Sequence, residues 1–190
     1  MDSVPSRLRV LALPLLLFSV ALTASYTFAQ QKDQKETERA KLIAAAREIM
    51  IAARYCALIT VDVNGQAQAR TMDPFPPGDD MVVWLATNPK TRKVSEIQKN
   101  ARVVLYYFDL PSQSYVTISG TASLVDDSRE RARHWKDEWK DFYPDREKGY
   151  LLIAVTPERL EVVSVKKGIS GDSINWHPPT VDFRAPSLRP

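Results

Sequence analysis

The sequence predicts a mainly β protein with peripheral helices (α+β), built as a six-stranded antiparallel barrel. Three observations predict this fold. About six short segments are rich in β-branched residues, and the one that begins at Cys56 has the period of two of a half-buried strand. Only three segments have the three- and four-residue apolar spacing of a helix. The connections differ in length, which favours a small antiparallel barrel over a sandwich or a doubly wound sheet.

Composition excludes several classes of function. The 190 residues include 26 Lys and Arg against 23 Asp and Glu, a formal charge of +3 that is too near balance for a strongly electrostatic nucleic-acid binder. One Cys and two His do not provide the spaced Cys/His set of a structural zinc site. We therefore expect one globular domain with neither a nucleic-acid partner nor a metal, and a buried, inert thiol at Cys56.

The N-terminus has the features of an export signal in their usual order. Arg7 and Arg9 precede an apolar stretch at 10–22, and small residues follow up to Ala29. The apolar stretch is shorter than the about 20 residues that span a bilayer. We therefore predict a signal peptide at 1–29, a mature protein that is periplasmic or extracellular, and no membrane span after cleavage. An uncleaved N-terminal anchor is the alternative.

The domain is predicted at residues 38–165, after a loose polar tether at 30–37. It begins with a helix whose apolar residues recur at helical spacing: Leu42, Ile43, Ala46, Met50 and Ala53. The period then changes to two, which indicates a first strand. An Asn64-Gly65 turn, with positive φ expected at both positions, joins it to a second strand at 66–72.

A proline-rich loop at 73–80 and a strand at 81–86 come next, followed by a helix at 89–99 capped by Asn88. Strands are then predicted at 102–108 and 115–125. A further helix starts at Asp127 or Ser128, carries Trp135 and Trp139 and stops before Pro144, and strand segments at 150–155 and 160–165 follow. Gly120 indicates a bulge or a bend, and the last two segments are expected to form one strand or a strand pair broken at Pro157. The tail at 166–190 has no periodicity and is expected to be extended. Its candidate anchor points are Ile174, Trp176 and Phe183.

The start of the second predicted helix is the most informative segment. Lys90, Arg92 and Lys93 fall in or near its first turn, where the macrodipole makes each cation cost about 0.3 to 1 kcal/mol. A bound phosphate would explain them, because amides, threonine hydroxyls and cations would converge on one anion. A solvated basic face, partly compensated by Glu96, is the alternative. No P-loop or GxGxxG accompanies the segment, so a nucleoside triphosphate is not expected.

A barrel of this size fills its interior with side chains, so a ligand must bind outside it or between two copies. Arg70, at the end of the second strand, is a further candidate contact. The aromatic residues of strands and helices are more typical of a core than of a ligand pocket.

In order and spacing, several segments resemble the pyridoxamine 5′-phosphate oxidase-like superfamily of FMN-binding split barrels, most closely its general stress protein 26 branch. The resemblance covers about residues 40–165. It is carried by these stretches: ARTM at 69–72, WLAT at 84–87, TRKV at 91–94, NARV at 100–103, YVTISGTA at 115–122 and VTPERLE at 155–161.

The resemblance implies FMN as the cofactor, in a pocket completed by the second subunit of a homodimer. The implied phosphate contacts are Arg92 and Lys93, with Thr87 and Thr91 as hydroxyl donors. The implied contacts of the isoalloxazine ring are Arg70, Thr71 and Met72. Other split barrels use the deazaflavin F420 or haem, and haem would need His134 or His177 as an axial ligand.

The chain departs from the vitamin B6 oxidases of this superfamily. Their Arg-Gln pair before the fifth strand is replaced by Ser114-Tyr115, and their C-terminal Arg/His motif has no counterpart at 174–190. These departures argue against pyridoxamine phosphate oxidation. No general acid or base is identifiable, as expected where a flavin performs the redox chemistry. We therefore expect an FMN-dependent oxidoreductase acting on an unidentified small molecule, with a non-enzymatic flavin- or haem-binding stress protein as the alternative.

Overall fold

The computed structural model describes the backbone of residues 13–184 and the side chains of residues 30–184. Its contacts divide the chain into one unit at 1–41 and a second at 42–190. Helix α1 (Leu13–Ala53) begins in the first unit and ends in the second. Within the described part of the chain, no helix is long and apolar enough to cross a membrane. The basic start of the predicted signal peptide, at Arg7 and Arg9, lies outside the described residues.

The segment at 30–37 is helical, so the prediction of a loose tether was wrong. Its Gln, Lys and Glu residues are good helix formers, and it contains neither Gly nor Pro to end the helix. The last turns of α1, in the second unit, bury Leu42, Ala46 and Met50 in the core, as their spacing predicted.

The second unit is built on one antiparallel sheet. Its strands are β1 (Cys56–Val61), β2 (Ala67–Met72), β3 (Val83–Thr87), β4 (Arg102–Asp109), β5 (Ser114–Val125), β6 (Leu151–Val163) and β7 (Thr180–Asp182). Six of them follow the order β2-β1-β4-β5-β6-β3, and the short β7 pairs with the second half of β6. The predicted six-stranded antiparallel split barrel is thereby confirmed, with one further short strand.

The inner face of the sheet is filled with apolar side chains. Leu58, Leu85, Leu105, Ile118 and Leu160, from five strands, are completely buried. The Cys56 thiol is also buried, and burial raises its pKa to about 12, so it is inert as predicted. The filled interior leaves the outer surface as the place for a ligand.

The β1–β2 hairpin forms where predicted, but its turn is longer than the predicted two-residue type. The Asp62 carboxylate accepts hydrogen bonds from the backbone N–H groups of Asn64, at 2.9 Å, and Gln66, at 3.0 Å. These bonds extend the turn from Asp62 to Gln66. Gly65 has the only positive φ of the predicted pair, +79°, so the prediction for Asn64 was wrong.

The β5–β6 pair contains the bulge that Gly120 predicted, with the register shifting between Ser119 and Gly120. Pro157 faces Gly120 at this shift, and β6 continues through it. The last segment is therefore one strand, and the prediction that Pro157 breaks it was wrong. A proline cannot donate a ladder hydrogen bond, and the irregular register places that missing donor where regular pairing is already interrupted.

Helix α2 (Arg92–Lys99) begins three residues later than predicted. Asn88 is not its cap, because the Asn88 carbonyl accepts a hydrogen bond from the Thr91 N–H at 3.1 Å and the Asn88 side chain accepts one from the Lys90 N–H at 2.9 Å. These contacts close a separate turn. Thr91 is the N-cap residue, Lys90 lies outside the helix, and Arg92 and Lys93 are its first two residues.

Helix α3 (Ser128–Arg133) is capped by Asp127 as predicted, but it ends before the tryptophans that it was expected to carry. A tertiary contact explains the early end. Asp73 accepts hydrogen bonds from the Lys136 ammonium at 2.8 Å and from the Trp139 indole N–H at 3.0 Å, which draws this segment onto the β2–β3 loop. A short helix, α4 (Arg146–Gly149), follows.

The tail after β6 is held by β7 and by one of its three predicted anchors. Phe183 packs against the core beside the buried Val181. Ile174 and Trp176 are 89% and 83% exposed, so they do not anchor the tail within this chain.

Candidate anion-binding site

The end of β3 and the start of α2 bring three of the predicted phosphate contacts together. Lys93 Nζ donates to Thr87 Oγ1 at 3.1 Å, and the hydroxyls of Thr87 and Thr91 are also 3.1 Å apart. Thr91 Oγ1 donates to the Asn88 carbonyl at 2.8 Å, which holds this hydroxyl against the turn. Two hydroxyls and an ammonium therefore lie next to the free amides of a helix N-terminus.

Arg92 folds back along its own helix. Its Nε is 2.9 Å from Glu96 Oε1, one helical turn later, and its Nη2 donates to Gln68 Oε1 of β2 at 2.9 Å. The side chain remains 67% exposed, so part of the guanidinium stays accessible.

Arg70 binds the other oxygen of the same carboxylate. Its Nη2 donates to Glu96 Oε2 at 2.8 Å, and its Nη1 donates to Thr60 Oγ1 at 2.5 Å. Thr60 in turn donates to Glu96 Oε2 at 2.5 Å. Because Glu96 contacts both guanidinium groups, Arg70 belongs to the same cluster as the residues at the start of α2.

The electrostatics of the cluster follow from these contacts. Burial opposes ionisation of Glu96, but hydrogen bonds from Thr60 and Arg70 and the charges of Arg70 and Arg92 bring its pKa below the usual value. Burial and the charge of Arg70 lower the pKa of Lys93. Three cationic side chains and one carboxylate leave a net charge of +2.

A phosphate monoester carries about −1.5 to −2 charges at pH 7 and presents three acceptor oxygens. The cluster offers hydroxyl, guanidinium and ammonium donors with a matching opposite charge, and the first turn of α2 contains no acidic residue. The residues present therefore fit a phosphate group.

The structure does not group the three predicted ring contacts on one surface. Side chains alternate along a strand, so Thr71 lies on the opposite face of β2 from Arg70 and is exposed. Met72 is on the face of Arg70 but is buried in the core.

Three contributors were missed as members of the site: Thr60, Gln68 and Glu96. The spacing of Arg92 and Glu96, four residues apart on a helix, predicts their ion pair. The contacts of Arg92 and Glu96 with Thr60, Gln68 and Arg70 join parts of the chain that are distant in sequence. No sequence pattern predicts such contacts.

Neither histidine is placed as a metal or haem ligand. The His134 ring stacks on Trp84, with centroids 4.2 Å apart, and its Nδ1 faces Glu130. His177 lies in the exposed tail. Among the described residues, no group of three His, Cys, Asp or Glu could hold a metal ion.

The sheet order and the helices around it define an antiparallel split barrel. A sequence model of the family described as pyridoxamine 5′-phosphate oxidase like matches residues 41–170, and the chain belongs to this family. No protein of curated function shows significant similarity to it.

Solved structures share the fold at low sequence identity. A Clostridium acetobutylicum protein related to general stress protein 26 of Bacillus subtilis is 20% identical, with a TM-score of 0.63 over 75% of this chain and 95% of its own. A pyridoxamine 5′-phosphate oxidase-related, FMN-binding protein from Nostoc punctiforme is 14% identical, with a TM-score of 0.50 over 74% and 92%. A haem-binding protein from Mycobacterium smegmatis is 16% identical, with a TM-score of 0.51 over 62% and 52%.

Proposed function

We propose that the protein binds FMN and acts as a flavin-dependent oxidoreductase on a small molecule. The observation that carries this proposal is the cluster at the start of α2, whose donors and net charge of +2 suit a terminal phosphate. The family and the FMN-binding protein of Nostoc punctiforme support the choice of flavin.

When bound, FMN would supply the electron transfer. The chain would supply recognition: Arg92 and Lys93 would bind the phosphate, and Thr87 and Thr91 would turn their hydroxyl protons from their present acceptors toward it. The Arg70 cation, 2.8 Å from Glu96, would lie at the edge of the phosphate site.

Haem is the second candidate ligand, because a haem-binding protein shares the fold. The described chain has fewer features that suit haem than features that suit FMN, since the His134 side chain is 13% exposed and its ring is stacked on Trp84. A non-enzymatic role in flavin binding uses the same site and differs only in the absence of turnover.

We further propose a homodimer. The outer face of the sheet carries apolar side chains that remain partly exposed in the described chain, including Tyr106 at 38% and Phe108 at 46% exposure. Ile59, Val104 and Tyr115 share this face through the strand register. A second copy would cover this surface and would enclose a flavin ring that a filled barrel cannot.

FMN binding and dimerisation are expected to be linked. Sedimentation velocity of protein supplied with FMN can be followed at a wavelength that flavin absorbs. We expect the flavin absorbance to sediment with a species of twice the mass of the chain. Haem would give a Soret band instead. A monomer that holds FMN tightly would contradict the dimer proposal, and a dimer without flavin absorbance would contradict the choice of cofactor.

We also propose that the protein is exported with loss of residues 1–29. The basic, apolar and small residues of this segment occur in the order that a signal peptidase requires. Intact-mass measurement of protein from the native host should give an N-terminus at or near Gln30. A full-length product in the cytosol would refute export, and a full-length product in the membrane fraction would indicate the uncleaved anchor.

A further inference from the structure

A buried carboxylate lies in the middle of the cationic cluster. Glu96 is 3% exposed, and its negative charge would repel a bound phosphate. An anion site gains nothing electrostatically from such a residue, so its place in the cluster needs another reason.

Its contacts supply that reason. Oε2 accepts a hydrogen bond from Arg70 at 2.8 Å, whereas Oε1 forms an ion pair with Arg92 Nε at 2.9 Å without hydrogen-bond geometry, so one carboxylate contacts two guanidinium groups. Each arginine has a second fixed contact. Arg70 donates to Thr60, and Arg92 donates to Gln68, whose own amide donates to Asp62 at 2.9 Å. Both side chains are therefore oriented before any ligand binds.

We propose that Glu96 is a positioning residue that holds Arg70 and Arg92 side by side for a phosphate monoester dianion. A free arginine loses rotamer freedom when it binds an anion, and an arginine already held by Glu96 does not. This inference rests on the proposed phosphate site and adds how that site is prepared and which charge state it selects.

The selected charge state follows from the net charge. The cations Arg70, Arg92 and Lys93 outnumber the two nearby carboxylates, Glu96 and Asp62, so the cluster stays positive and gains more from a phosphate monoester dianion than from a singly charged ester. Phenyl phosphate and phenyl sulfate differ mainly in this charge. We expect the wild-type protein to bind phenyl phosphate at least tenfold more tightly than phenyl sulfate.

The decisive variants are Glu96→Ala and Glu96→Gln, titrated calorimetrically with phenyl phosphate and with FMN. Electrostatics alone predicts that removing a negative charge tightens anion binding. Positioning predicts the opposite, with about a tenfold weakening for Glu96→Ala and a smaller one for Glu96→Gln, whose amide oxygen can still accept from one arginine. Glu130→Ala removes a carboxylate that pairs with Arg133 outside the site and should leave both affinities unchanged within twofold.

A second measurement remains decisive if Glu96→Ala does not fold. In ¹⁵N NMR spectra, the Nη–H signal of Arg70 that donates to Glu96 should exchange slowly with water in the wild type and faster in Glu96→Gln, because an amide oxygen is a weaker acceptor than a carboxylate. Variants that bind phenyl phosphate as tightly as the wild type, or more tightly, would overturn the positioning role alone. A wild-type protein that binds neither phenyl phosphate nor FMN would overturn the proposed function as well.

Discussion

Replacing both Arg92 and Lys93 with Ala is expected to weaken FMN binding by at least tenfold. Charge-assisted hydrogen bonds contribute about 1.5 to 3 kcal/mol each, and about 1.4 kcal/mol corresponds to a factor of ten. Affinity for riboflavin, which lacks the phosphate, should change little. Calorimetric titration of the wild type and the double variant with both flavins measures this difference directly.

The same double variant should retain the stability of the ligand-free protein within about 1 kcal/mol. Arg92 is 67% exposed, and the buried Glu96 carboxylate keeps its hydrogen bonds from Arg70 and Thr60 when Arg92 is removed, so its charge stays compensated. Removing two cations from the start of α2 relieves an unfavourable interaction with the helix dipole.

The matched control is the double variant Lys99→Ala/Arg102→Ala, which removes two cations near the other end of α2. It should leave FMN affinity unchanged. Equal losses of FMN and riboflavin affinity in the Arg92/Lys93 variant would show that the phosphate is bound elsewhere.

Gly120→Ala is expected to destabilise the fold by about 3 kcal/mol, in the range of severe overpacking. A Cβ on Gly120 would lie 2.3 Å from the backbone carbonyl oxygen of Thr156, and no side-chain rotation can relieve a clash with backbone. The β5–β6 pairing would have to open at the bulge. Urea unfolding followed by circular dichroism gives the change in free energy of unfolding.

Gly149→Ala is the control for this prediction. A Cβ at Gly149 meets no atom within 4 Å, and Gly149 does not have a positive φ. This variant should unfold within about 0.5 kcal/mol of the wild type. If the two alanine variants were equally stable, Gly120 and Thr156 would not approach each other as the structure shows.

Much of the architecture could be predicted because its signals are local. A period of two identified β1, the Asn64-Gly65 turn identified its hairpin with β2, β-branched and apolar runs identified β3 to β5, and Gly120 marked the position of the bulge. Errors arose where a contact distant in sequence decides the local structure. The Asp73 carboxylate draws Lys136 and Trp139 out of the predicted helix, and the register shift opposite Gly120 lets β6 continue through Pro157.

The sequence by itself determined most of the strands, the buried thiol and the unusual cations at the start of α2, because each depends on neighbours a few residues apart. Only the tertiary structure decided which residues surround those cations. Glu96 meets Arg70, 26 residues away, and Thr60, 36 residues away, because α2 packs against the sheet. A buried carboxylate must be paired, and strand pairing rather than local pattern determines which partners are within reach.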